Sequence, residues 1–292
     1  MIVTAPASSA NLGPGFDCLA LALDLPFRLA VATERVEAGA ADPIAGSVDD
    51  VAARFHDAEP THPAAVAFRE AGGDPSLPMR WASPIPPGRG MGYSGAARVA
   101  GAYAAGVLDG LDHEQARDGA HLVASRLEGH PDNSAASAFG RFTVAVEQQV
   151  MRLDVPGDVT VIVWSPSSST STDASRRSLP GRVLLEDAAF SVARAATWVA
   201  ALATGDLDAL REACEDRLHQ DLRLEARPDA REVRDHLLGR QEVLAAWLSG
   251  SGPSIAALVP DDLAPLVAGS IGGDGTVRVL AVDQRGVRLE TP

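Results

Sequence analysis

The stretch "PIPPGRGMGYSGAARVAGAYAAG", residues 84 to 106, sets Gly88, Gly90, Gly92 and Gly95 in a run that ends in a train of small side chains. Ala96, Ala97, Val99, Ala100, Tyr103 and Ala104 recur at helical spacing, which predicts a close-packed helix from Ser94 to Val107. "MRWASPIP" ahead of it reads as a strand, so the glycines must turn a strand directly into a helix. Glycines let successive backbone N–H groups curl inward, and the helix adds its partial positive end, so such a loop holds a polyphosphate without a side-chain cation. Taken alone, the same residues also fit a strand-to-helix turn whose glycines serve packing.

No side-chain ammonium follows the loop, because the chain has none: all 25 basic residues other than histidine are arginine. A Walker-A lysine, a Schiff-base lysine and the strand lysine of protein kinases are therefore excluded, and any anion clamp must be arginine. The net charge of -14 argues against a nucleic-acid binder, whose affinity rests on concentrated positive charge. Cys18 and Cys214 are too few for a disulfide framework or a thiolate metal cluster. No apolar run reaches the ~18 residues of a membrane span, and "MIVTAPASSANLGPGFD" lacks a basic segment before an apolar core, so a cytoplasmic location is expected.

Along the chain, "MIVTAPA" and "LALALDLPFRLAVATERV" read as strands, followed by a Pro, Asp and Gly-rich excursion from "EAGAADP" to "AEPTHP" with at most a short helix. "HEQARDGAHLVASRLEGHPDN" predicts an amphipathic helix stopping at Gly129, and "GRFTVAVEQQVMRLDV" and "VTVIVWSP" predict strands. "LLEDAAFSVARAATWVAALAT", "LDALREACEDRLHQDL" and "DAREVRDHLLGRQEVLAAWLSG" each have a helical pattern, while "SIAALV" and "TVRVLAVDQRGVRLE" look like strands. Strands and helices mix without strict βα alternation, which points to an α+β chain of two domains, residues 1–153 and 154–292.

Other stretches gather chemistry. "SSANLGPGFDCLA" places Asn11 and Asp17 on a tight turn, as local Asx-turn partners or as a clamp for an amine and a hydroxyl. "LEGHPDNSAASAFG" crowds Glu128, His130, Asp132 and Asn133 at a helix end, more polar groups than helix termination needs. "SSSTSTDASRRSLP" offers Arg176 or Arg177 and "DRLHQDLR" offers Arg217 and Arg223; two such arginines from separate segments could fork onto one carboxylate. "LSGSGPSIAAL" is a further Gly/Ser turn, expected between a helix and a strand.

Together "PASSANLGPGFDCLALAL", "PIPPGRGMGYSGAA", "LEGHPDN", "STDASRRSLP", "DRLHQDLR" and "WLSGSGPSIAAL" resemble, in order and type, the kinase family of galactokinase, homoserine kinase, mevalonate kinase and phosphomevalonate kinase, its homoserine kinases most closely. The resemblance implies a two-domain fold with ATP and acceptor meeting between the domains, and transfer of phosphate to the hydroxyl of L-homoserine. It implies a nucleotide cradle of Pro87, Gly88, Gly90, Met91, Gly92, Tyr93, Ser94, Gly95 and Ala96, with Mg²⁺ held by Ser94 and Glu128. Asn11, Asp17, His130, Thr172, Arg176 and Arg223 would line the amino-acid site, Asp17 facing the ammonium and the arginines the carboxylate. Asp132, Asn133 and Arg176 would serve the transfer, Asp132 as a base in some relatives and Asn133 as an orienting amide. A homodimer is common among such enzymes. The family's loop usually reads G-L-G-S-S-A-A, so Tyr93 replaces its first serine here, and "LEARPDA" after Arg223 lacks the usual continuation. Another alcohol acceptor, or a catalytically silent nucleotide binder, stays open at this level.

Overall fold

The computed structural model describes residues 1–33 and 55–290; most of the Pro/Gly-rich excursion, residues 34–54, lies outside them. Strands β1 (Ile2–Asn11) and β2 (Gly15–Val31) form a long antiparallel hairpin, with Ile2 opposite Ala30 and Asn11 opposite Gly15. Its register shifts at Pro6/Ala7, where Pro6 faces Pro26 and neither nitrogen can donate to the ladder. β3 (His56–Asp57) and β4 (Met79–Ala82) extend this sheet on one side, and the hairpin β5 (Phe142–Val146) and β6 (Gln149–Leu153) pairs with β2.

Small residues let helices close onto β1. Helix α1 (Pro63–Glu70) packs on α2 (Tyr93–Leu108), which contains the predicted 94–107 helix, and a Cβ on Gly101 would fall 2.0 Å from the Ala64 carbonyl oxygen. Helix α3 (His113–Glu128) opens with an Asp112–Gln115 capping box and ends on left-handed Gly129, so both its ends are written locally. The short α4 (Asp132–Phe139) follows, nearly all buried.

After Leu153 the chain enters a second sheet, ordered β10 (Thr276–Leu280), β7 (Val159–Ser165), β9 (Ile255–Pro260), β8 (Ala245–Leu248). The final strand, β11 (Arg288–Leu289), returns to pair with Val3 and Thr4 of β1, so the expected second unit, 154–292, lends its last strand to the first sheet. One continuous core joins both sheets through Phe142, Trp198 and Trp247.

The Ser/Thr-rich stretch read as loop from sequence holds a short helix, α5 (Thr172–Arg177), which Ser171 caps by accepting from the Ala174 N–H, and the expected helix over "LLEDAAFSVARAATWVAALAT" is present as α6 (Leu185–Thr204). Two helical patterns break. "LDALREACEDRLHQDL" divides into a 3₁₀ turn, α7 (Leu210–Ala213) and α8 (Gln220–Glu225), because the Asp216 carboxylate accepts from the N–H groups of Leu218, His219 and Gln220 and starts a new helix. "DAREVRDHLLGRQEVLAAWLSG" is helical only over α9 (Pro228–Leu238); Ala245–Leu248 is a wholly buried strand, so the turn at 249–252 joins two strands and not a helix and a strand. Among the described residues no helix is long and apolar enough to cross a membrane.

Candidate active site

A cavity of about 350 Å³ opens where the β1–β2 turn, the glycine loop, the α3–α4 junction, α5, Arg223 and the 250–251 turn converge. Gly88, Gly90 and Gly92 all take left-handed φ, at +67°, +73° and +66°. A Cβ on Gly90 would lie 2.1 Å from the Ser249 carbonyl oxygen, and one on Gly92 1.9 Å from Ser8 Oγ, so only glycine fits either place. Ser249 Oγ donates to the Gly90 carbonyl at 2.6 Å, and the Ser8 N–H to that of Met91 at 3.2 Å. Thus the loop is clipped between β1 and the distant 249–252 turn. No side chain caps α2, which leaves its first N–H groups to the cavity. Gly88, Gly90, Met91, Gly92, Tyr93 and Ser94 line the space, whereas Pro87, Gly95 and the buried Ala96 do not.

Ser94 Oγ donates to Glu128 Oε1 at 2.5 Å, and Arg98, one turn along α2, donates to the same oxygen at 2.7 Å. Glu128 Oε2 is buried without a hydrogen-bond partner. A hydroxyl beside a carboxylate with one uncommitted oxygen fits a hard divalent cation that takes its remaining ligands from phosphate and water. Gly95 keeps that space open, since its Cβ would come within 3.2 Å of Oε2.

At the other end, Asn11 and Asp17 both hold left-handed φ, at +70° and +57°. Asn11 is a strut: its Nδ2 donates to the Gly250 carbonyl at 3.0 Å and its Oδ1 accepts from the Asp17 N–H at 3.1 Å. Arg176 Nη1 and Nη2 fork onto the Asp17 carboxylate at 2.8 and 2.6 Å. Sequence left Arg176 and Arg177 as alternatives; Arg176 lines the cavity and Arg177 is exposed away from it. Arg223 is buried, donating to His219 Nδ1 at 3.1 Å and the Gly250 carbonyl at 3.2 Å, and burial with the nearby Arg176 charge lowers its pKa to about 10. The Phe16 ring packs against both guanidiniums, while Arg217 sits elsewhere, over Phe190. Thr172 Oγ1 meets Ser251 Oγ at 3.2 Å on the cavity rim.

Between the two ends, Asp132 Oδ1 accepts from His130 Nδ1 at 2.6 Å, the Asn133 N–H at 2.8 Å and Asn133 Nδ2 at 3.2 Å. Asn133 Oδ1 in turn accepts from Ser8 Oγ at 2.9 Å. Burial alone would lower the His130 pKa, but the hydrogen bond and charge of Asp132, with Glu128 and Asp17 nearby, raise it instead. Sequence reasoning missed Ser8, Phe16, Arg98 and His219. Arg98 had a signal, standing four residues after Ser94 on one helix face; Ser8 and Phe16 matter only through contacts distant in sequence.

An anion cradle sharing one cavity with a two-signed polar pocket is the layout of a small-molecule phosphotransferase. Comparison with known proteins narrows that class: the GHMP kinases N terminal domain matches residues 61–141 and the GHMP kinases C terminal domain residues 198–272. The chain belongs to the GHMP kinase family. It is 38% identical to a homoserine kinase of Thermus thermophilus, covering 96% of this chain and 95% of that one, and 40% identical to that of Clavibacter michiganensis, covering 99% and 93%. Among solved structures, homoserine kinase from Cytophaga hutchinsonii aligns with a TM-score of 0.79 at 25% identity over 99% of this chain and 96% of that one. A mevalonate kinase aligns at 0.67 with 12% identity over 98% of this chain and 100% of that one, a likeness of fold alone. The expected α+β kinase fold is therefore present.

Proposed function

We propose that this chain transfers the γ-phosphoryl group of ATP to the side-chain hydroxyl of L-homoserine, forming O-phospho-L-homoserine for threonine biosynthesis. The observation that carries the reading is the pairing of Asp17 with Arg176, above the buried Arg223, in the cavity that holds the glycine cradle. A zwitterionic acceptor needs one anionic and one cationic contact, and these residues supply both. Mevalonate has no amine to offer Asp17. The identity to named homoserine kinases supports the same choice.

In this reading the glycine loop and the uncapped start of α2 hold the polyphosphate. Ser94 and Glu128 would hold Mg²⁺, which supplies charge neutralisation at the phosphates when bound. Arg98 restrains the Glu128 carboxylate through Oε1, the same oxygen that Ser94 meets. The acceptor's carboxylate takes Arg176 and Arg223, its ammonium takes Asp17, and its hydroxyl lies toward Asp132. All three hydrogen bonds on Asp132 fall on Oδ1, so Oδ2 is the oxygen left to accept the hydroxyl proton, while Asn133 braces that carboxylate against Ser8. Catalysis is then positioning plus charge stabilisation.

The test is ADP release with ATP and Mg²⁺ against L-homoserine, L-threonine, L-serine, mevalonate and galactose, with the product mass measured. Selective turnover of homoserine is expected. Turnover of another alcohol with none of homoserine would reassign the acceptor, and nucleotide binding without transfer to any acceptor would leave a silent binder.

A further inference from the structure

Three carboxylates line the cavity, Asp17, Glu128 and Asp132, and each already has a donor on it. Arg176 forks onto Asp17, His130 Nδ1 lies 2.6 Å from Asp132 Oδ1, and Arg98 Nη1 donates to Glu128 Oε1 at 2.7 Å. Arg98 differs from the other two in its place, on α2 one turn beyond Ser94, whose hydroxyl meets the same Glu128 oxygen. Among the described residues Glu128 is the only carboxylate within ion-pair distance of Arg98. The Glu128 side chain is only 5% exposed, so water and salt screen the pair little. A divalent cation approaching the unpartnered Oε2 alone would therefore meet a carboxylate whose charge is already cancelled by the guanidinium on its other oxygen. Affinity of oxygen sites for such ions follows the charge count of the ligands, and Ser94 adds a hydroxyl but no charge. Polyphosphate oxygens would bring the missing negative charge together with the ion.

We infer that Arg98 is a resident counter-ion that bars the free metal ion from Ser94 and Glu128, so that the divalent cation is admitted only in company with the nucleotide's phosphates. The inference rests on the kinase reading above, with Ser94 and Glu128 as the metal ligands. Arg98 acts through Glu128 and need touch neither phosphate nor acceptor. Between turnovers it also spares the protein an uncompensated buried carboxylate.

The probe is Mn²⁺, which takes the same oxygen ligands as Mg²⁺ and whose paramagnetic resonance signal counts the free ion directly. Titrations would follow wild type, Arg98→Gln, Arg98→Lys, Glu128→Gln and the double variant Arg98→Gln/Glu128→Gln, each without nucleotide and with ADP, alongside melting midpoints with and without the ion. Arg98→Gln keeps a hydrogen-bond donor for Oε1 and loses the charge. Without nucleotide it should bind Mn²⁺ about tenfold or more tighter than wild type and melt higher in its presence, Arg98→Lys should behave as wild type, and the double variant should lose the gain. Water-proton relaxation should find Mn²⁺ on the wild-type protein only when ADP is present. Wild type that binds Mn²⁺ without nucleotide as tightly as Arg98→Gln overturns the inference, and tight binding of the free ion by wild type does so even if a variant fails to fold. A gain that survives in the double variant overturns it as well, by placing the ion elsewhere, as on Asp17, His130 and Asp132. If Glu128→Gln leaves Mn²⁺ binding with ADP unchanged, the assignment of the metal ligands itself fails, and the part given to Arg98 falls with it.

Discussion

In the proposed reading the Asp17–Arg176 fork stands in for the acceptor. Each partner already faces the charge that a zwitterion would bring, so binding exchanges one ion pair for two of the same kind. A molecule carrying only a carboxylate, or only an amine, would break the fork and re-pair one side alone. The two side chains are partly exposed, 29% for Asp17 and 40% for Arg176, so solvent moderates the cost. We therefore expect Arg176→Ala to lower kcat/KM for homoserine by about 1–3 kcal/mol, roughly 5- to 150-fold, mainly through KM. Asp17→Asn should show a similar loss, and because the residues share both partner and substrate the double variant should lose less than the sum. Strict additivity in steady-state kinetics would mean that the fork and the acceptor site are independent. Glu128→Gln tests the other end: it keeps an acceptor for Ser94 and Arg98 but removes the charge at the orphaned Oε2, so the Mg²⁺ concentration giving half-maximal turnover should rise. An unchanged Mg²⁺ titration would remove Glu128 from the metal site.

At the scale of the element, the glycine loop is held by geometry that can be tested against a control. Gly72 has φ +91° with nothing within 4 Å of an added Cβ, whereas Gly92 has φ +66° and Ser8 Oγ at 1.9 Å. Gly72→Ala should cost only the left-handed penalty of about 1–2 kcal/mol and leave ATP affinity alone. Gly92→Ala adds a collision with the serine that braces Asn133, so it should destabilise more in urea unfolding and also weaken ATP binding; equal effects of the two would deny the loop's clamped geometry. Much of this element was legible in sequence, because a glycine run, a small-residue helix and the Gly129 stop are local signals. The Asn11, Asp17, Glu128, His130, Asp132 and Arg223 cluster was legible too, through motif order. What sequence could not give was decided by partners far along the chain. Ala245–Leu248 carries apolar residues that a helix would also accept, and it is a strand because Trp247 must pack edge-on to Trp198 and donate its indole N–H to Ser9 Oγ at 2.9 Å. The break before α8 turned on Asp216 acting as a cap, a role that an aspartate inside a periodic pattern does not announce. That Arg176 would face Asp17 in the unliganded site, 159 residues away, has no local signature at all.

For the whole molecule, histidines shifted by partial or full burial set how stability follows pH. His62 and His121 are both pushed down to about 4, each by burial, and His121 Nε2 has no partner while its Nδ1 meets Ser134 Oγ at 3.1 Å. Unfolded histidine titrates near 6.5, so between about pH 6.5 and 4 the unfolded chain binds protons that the folded chain refuses. Stability must then fall as pH falls through that window, and buried His219, also lowered, acts in the same sense. His130 works oppositely. Asp132 and the neighbouring carboxylates raise its folded pKa despite burial, so its contribution is full below about 6.5 and disappears as pH climbs through the folded value. Thermal melting should accordingly decline on both sides of neutrality, steeply in acid where several histidines act together and shallowly just above neutral pH, where His130 is the histidine that loses its proton in the folded chain. His121→Asn lies outside the cavity lining and should flatten the acid limb relative to wild type, whatever its effect on absolute stability. His130→Asn should flatten only the alkaline limb. An acid limb unchanged in His121→Asn would mean that this histidine is already protonated in the folded chain, with its charge accommodated between Ser134 and the edge-on Phe139 ring.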